Sequence, residues 1–185
     1  IGKNPLKNIN ELMESDSKEF ARFKSNLRKS AKLNEFEKMI LSALQKATHE
    51  LLCYRTLSVE CIQEKGVLGF TNGGSYIVFT EEYYKKSVMN GDFESLINTL
   101  IHEASHDSNS MQTHQHGAQF YSEFNKKFTK YFLKVCSKFY AHIGLRLEKR
   151  INTKGADSLK SLNISDVALK RIVAKRLGDK VRAFA

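Results

Sequence analysis

Between Phe93 and about Asp107 the chain carries a helix-period segment that is apolar almost all the way round, through Phe93, Leu96, Ile97, Leu100, Ile101 and Ala104. A helix without a polar face has to be buried on every side, so the rest of the chain is predicted to pack around this one. Asp92, closing Asn90-Gly91-Asp92, has the chemistry of its N-cap. Buried polar side chains need partners, and this segment has three: His102, Glu103 and His106, in the run His102-Glu103-Ala104-Ser105-His106.

Histidines four apart on a helix emerge one above the other and can share one ion. Zinc takes neutral imidazole nitrogens, and its catalytic sites commonly use three protein ligands with one position left for water. A Glu directly after the first histidine is placed to take a proton from that water and pass it to a leaving amine. The run therefore predicts Zn²⁺ on His102 and His106, with Glu103 as the base. For the third ligand, His114 and His116 lie in the polar loop after the helix and Glu123 lies on the next one. His116, immediately before Gly117, is favoured. His49 and His142 lie far along the chain and read as ordinary surface or core residues. Tyr76, Tyr83 and Tyr121 flank the motif and are the candidates for an oxyanion partner.

The surrounding pattern predicts an α+β fold, a helical bundle with a small antiparallel three-stranded meander packed on the HExxH helix. Ser17 suits the cap of a helix through about Ala31, with Phe20, Phe23 and Leu27 on its apolar stripe. Asn34 with Glu37 forms a capping box before a helix whose stripe is Phe36, Met39, Ile40, Ala43, Leu44, Ala47 and Leu51. Leu57, Val59 and Cys61 then alternate with polar residues. Val67 to Phe70 is a short apolar run, and Asn72-Gly73-Gly74 is hairpin chemistry before Tyr76-Ile77-Val78-Phe79. After Gly117 a long helix is marked by Phe120, Phe124, Phe128, Phe132, Val135 and Phe139. A last amphipathic helix is predicted over 163–177, with Ile164, Val167, Ala168, Ile172 and Val173 facing inward. The organisation expected is a zincin-like unit over 1–145 and a basic helical extension over 146–185.

Charge is unevenly placed. Residues 1–125 hold 14 Lys/Arg against 16 Asp/Glu, net −2, whereas residues 126–185 hold 16 against 4, net +12. Such a block suits contact with nucleic acid or another polyanion, with a solvated helical face as the plainer reading. No apolar run approaches the roughly 18 residues of a membrane span, so no membrane partner is expected. Cys53, Cys61 and Cys136 are odd in number and widely spaced, which fits small buried residues in a reducing cytoplasm better than a disulfide framework. The opening residues have neither an initiator Met nor a signal stretch and already read as helix, which points to a piece of a longer chain.

Tyr76-Ile-Val-Phe-Thr, the helix ending LINTLIHEASHD, and the following HGAQFYSEF together resemble the SprT-like zinc metallopeptidases over roughly residues 57 to 130. The resemblance implies a zincin-like fold and a peptidase acting on a protein or peptide substrate. It also implies zinc on His102, His106 and His116, with Glu103 as the base. With the basic block, it implies action on nucleic-acid-associated proteins. The stretch INELMESDSKEFARFKSNLRKSAKL, the predicted meander and HEASH are also similar to the region after the ATPase module of some bacterial Hsp90-like (GHKL) ATPases. On that resemblance an ATPase domain in the parent chain would be a partner, and this region would be a non-catalytic zinc-binding, regulatory or nucleic-acid-binding module.

Overall fold

A computed structural model describes residues 30–52, 56–61, 66–71, 76–106 and 116–182. The helix expected from Ser17 falls almost wholly outside them. Its last residues are extended instead: Ser30 bridges Glu60, and the Ala31 amide donates to the Val59 carbonyl at 2.9 Å.

Helix α1 (Glu35–Leu52) begins on the expected capping box. The Asn34 amide donates to Glu37 Oε2 at 2.7 Å and the Glu37 amide to Asn34 Oδ1 at 2.8 Å. Phe36, Ile40, Ala43, Leu44 and Ala47 are buried, as a helical stripe at this spacing requires. Three strands follow, β1 (Thr56–Glu60), β2 (Gly69–Thr71) and β3 (Tyr76–Thr80).

The sheet is not a meander. Its order is β1-β3-β2, with β2 antiparallel to β3 but β1 parallel to it. The β2–β3 pairing is a local one, Phe70 opposite Val78 and Thr71 opposite Ile77. β1 takes the far side of β3, with Leu57 opposite Ile77 and Val59 opposite Phe79. Alternation assigns the faces of a strand but not its neighbours, which is why the meander expectation fails. Central β3 turns Ile77 and Phe79 into the main core and Val78 to the opposite face, beside Phe70. Short β2 is left as an edge.

Helix α2 (Glu81–Asn90) follows β3 directly. Gly91 ends it with φ 66°, the left-handed conformation of a C-terminal glycine. Helix α3 (Phe93–Glu103) is the predicted buried helix, with Asp92 accepting from the Ser95 amide and Phe93, Leu96, Ile97, Leu100 and Ile101 fully enclosed. It stops at Glu103, short of the expected end near Asp107, and its last carbonyls are satisfied locally. Ser105 Oγ donates to the Ile101 carbonyl at 2.7 Å, the Ser105 amide to that of His102 at 2.9 Å, and Lys127 Nζ to that of Ala104 at 2.6 Å.

Helix α4 (Ala118–Lys154) runs without interruption across residue 145. Phe120, Val135 and Phe139 are buried, and Phe124, Phe128 and Phe132 pack against the core while half-buried. A 3₁₀ segment (Ala156–Leu162) leads to helix α5 (Asp166–Arg182). Of the inward face expected for α5, Ala168 and Ile172 are buried, whereas Val167 and Val173 are 59% and 48% exposed. Helix α5 leans on α2 and α4 through a narrow contact: the backbone of Ala168 lies so close to Gly91 that a Cβ there would fall 2.9 Å from the Ala168 Cα. Among the described residues no helix is long and apolar enough to cross a membrane.

Candidate metal centre

The C-terminal end of α3 and the first turn of α4 meet at one point. His102 lies in the last turn of α3 and His106 three residues past its end. The His106 amide still reaches the Glu103 carbonyl at 3.3 Å, so the turn stays wound and His106 remains on the same side as His102. His116 immediately precedes Gly117, the N-cap of α4. The ring centroids are 5.4 Å apart for His102–His106, 4.8 Å for His102–His116 and 5.3 Å for His106–His116. One ring nitrogen from each forms a set lying within 4.8 Å of one another.

Phe120 packs under all three rings, with centroids 4.9, 4.6 and 4.5 Å from His102, His106 and His116. The sequence placed Phe120 only on a core stripe; it is also the floor of the histidine cluster. The signal for that was its position one helical turn after His116, which on a starting helix brings the two side chains together.

His102 and His106 are half-buried and His116 is exposed. Burial, followed by the charge of His116, holds His102 below the usual imidazole value. Both causes favour the neutral form, which is the form that ligates a metal. Glu103 is 7% exposed, and burial pushes its carboxyl up to about 7.

These residues line one side of a cleft of about 330 Å³ whose other wall is Gly66 to Phe70, leading into edge strand β2. Gly69 is what lets that wall come close. A Cβ at this position would sit 2.8 Å from the Val78 carbonyl oxygen, 3.4 Å from Thr99 Cγ2 and 3.6 Å from Glu103 Cγ. Nothing in the residue pattern around Gly69 marks this role.

Of the other residues singled out, His114 lies outside the described residues. Glu123 faces Lys127 at 3.5 Å and Lys126 at 3.9 Å rather than joining the histidines. His49 is exposed, and His142 is half-buried among cations. Tyr83 shares a hydrogen bond with Thr99 at 2.9 Å, Tyr76 packs edge-on against Phe70, and Tyr121 lies 6.2 Å from His116. None of these tyrosines is among the residues lining the cleft. Besides Gly69, a second residue not legible in the sequence is Lys127. Its ammonium caps the end of α3 on the carbonyl of Ala104, inside the HEASH run, while Glu123 steadies it.

No family model matches this chain, and no curated protein or solved structure matches it either.

Proposed function

We propose that the protein is a zinc-dependent peptidase of the SprT-like kind that hydrolyses peptide bonds in a protein or peptide substrate. The observation carrying this reading is Glu103, buried in the same cleft as three histidines whose ring nitrogens lie within 4.8 Å of one another. His102, His106 and His116 would hold the ion. A tetrahedral zinc with bonds of about 2.0–2.1 Å wants its nitrogens roughly 3.4 Å apart, a closure that rotation of three partly exposed rings supplies. When bound, the zinc provides a Lewis acid and brings the pKa of a water toward about 7.

The chain's own residues do the rest. Glu103 accepts the proton of the attacking water and returns it to the leaving nitrogen, and its buried position keeps that proton from bulk solvent. Phe120 sets the orientation of the rings from below. Lys127 fixes the turn on which His106 rides, and Gly69 keeps the facing wall within reach of Glu103.

The test is Glu103→Gln, assayed for zinc content and for cleavage of an unfolded protein. The expected outcome is unchanged zinc with cleavage abolished. Undiminished cleavage would overturn the peptidase assignment, and zinc retention in a wild type that cleaves nothing would leave a structural metal module.

A further inference from the structure

The two walls of the cleft differ in chemistry. One is the α3 side, with Asn98, Thr99 and Glu103 beside the histidines, and the other is the stretch from Gly66 to Phe70. Apart from the histidines, Glu103 is the one ionisable side chain lining the cleft among the described residues, and it is 7% exposed. When the histidines hold an ion and Glu103 serves the attacking water, no charged group is left there to pair with a substrate side chain.

What the second wall offers is apolar. Phe70 is buried against Val78 and Tyr76, which leaves half-buried Val67 and Leu68, 48% exposed, as the apolar side chains open to a ligand. Their backbone is held in place, since the Thr80 amide donates to the Leu68 carbonyl at 3.0 Å. Both lie close to the chemistry. Leu68 directly precedes Gly69, whose Cβ position would fall 3.6 Å from Glu103 Cγ, and consecutive residues are only about 3.8 Å apart. A substrate residue meeting this wall is therefore next to the bond that Glu103 serves. Binding clefts characteristically pair such apolar contacts with a few polar groups. A charged side chain pressed against Val67 and Leu68 would lose hydration and gain no partner.

Asn98 supplies the polar part. It is exposed on the α3 wall, one helical turn before His102, and its carboxamide has no hydrogen bond among the described residues. Thr99 beside it is already spent on Tyr83 at 2.9 Å. A free carboxamide carries one acceptor and two donors, a match for the N–H and C=O of a peptide main chain and for no particular side chain.

We propose that the cleft selects chain segments with an uncharged, apolar residue beside the scissile bond, that residue packing on Val67 and Leu68 while Asn98 hydrogen-bonds the substrate main chain. This selectivity rests on the peptidase reading, whereas the contacts that produce it exist without turnover.

The experiment therefore has a binding arm and a cutting arm. Short labelled peptides that differ at a single central position, Leu, Ala, Asp or Lys, are titrated by fluorescence polarisation against the zinc-loaded Glu103→Gln chain. The same peptides are mixed with zinc-loaded wild type and the cuts mapped by mass spectrometry. The Leu peptide should bind at least about tenfold more tightly than the Asp or Lys peptide, and wild type should cut beside the Leu. Leu68→Lys should reverse the order of the charged pair, with Asp favoured over Lys, a change that a merely structural role for Leu68 would not produce. Val67→Ala, the milder variant, should narrow the preference for Leu over Ala. Asn98→Ala should weaken every peptide alike, by about three- to tenfold. Equal binding of the Leu, Asp and Lys peptides, or an unchanged order in both Leu68→Lys and Val67→Ala, would overturn the selectivity and leave the peptidase reading to a wild type that still cuts. Selective binding by a chain whose wild type cuts nothing would support the contacts and overturn the peptidase reading; neither binding nor cutting would overturn both.

Discussion

Helix α3 carries a glutamate near each end, and the two live in opposite conditions. Glu94, in the first turn, meets Arg171 at 2.9 Å and Lys175 at 3.3 Å, both from α5. Burial works against its ionisation, but hydrogen bonding at its own backbone amide and the Arg171 guanidinium outweigh that and hold it below the ordinary carboxyl value. Glu103, in the last turn, has burial as the sole cause acting on it, and it rises to about 7. The same side chain is a pin between helices at one end and a buried carboxyl in a histidine-lined cleft at the other. Their positions, nine residues apart, put them on opposite sides of the helix, so one faces the basic extension and the other the cleft.

Four substitutions probe the difference between the two ends of α3 and their surroundings. Glu103→Gln should lower turnover by about 10²–10⁴-fold, measured on the zinc-loaded protein, while its melting temperature stays within a few degrees of wild type. Lys127→Met removes the cap that Glu123 steadies on the Ala104 carbonyl. Zinc affinity, read by competition with a chelating dye, should fall about 10–100-fold with all three histidines still present. Gly69→Val forces side-chain atoms into the 2.8 Å gap before the Val78 carbonyl, and calorimetry should register a loss of about 1–3 kcal/mol.

Glu94→Gln is the mildest, because its cationic partners are 45% and 53% exposed. It should cost about 0.5–1 kcal/mol and leave zinc binding and cleavage untouched. Its signature lies in pH. A carboxyl held low in the folded state contributes stability that is present above its ordinary value of 4.5 and fades as pH falls through the folded value. The acid side of the stability profile should therefore be shallower in Glu94→Gln; an identical acid limb would remove Glu94 from the account.

Local chemistry was legible in the residues and global arrangement was not. The Asn34–Glu37 box and the enclosed face of α3 follow from patterns three and four residues long, and both are present. Helix α2 was invisible because only Tyr84, Ser87 and Val88 of its ten residues are buried, too few to set a period. The parallel β1–β3 pairing was hidden because a strand's alternation is the same whichever neighbour it takes. Exposed Val167 and Val173 show the converse, apolar residues on a helix that touches the body along too narrow a line to cover them. At the cleft, a spacing of four could pair His102 with His106. The approach of His116 depends on how α4 docks against α3, which no local pattern encodes. Gly69 and Lys127 act through contacts 34 and 23 residues away, with Glu103 and with Ala104 respectively, and so left no trace in either helix's own pattern.

Zinc content per chain, measured by elemental analysis after reconstitution and desalting, decides whether the histidine cluster holds an ion. About one zinc is expected in wild type, the same in Glu123→Ala and Glu94→Gln, and almost none in His116→Ala. A wild type that retains no zinc, or a His116→Ala variant that retains it in full, would contradict the metal centre described here.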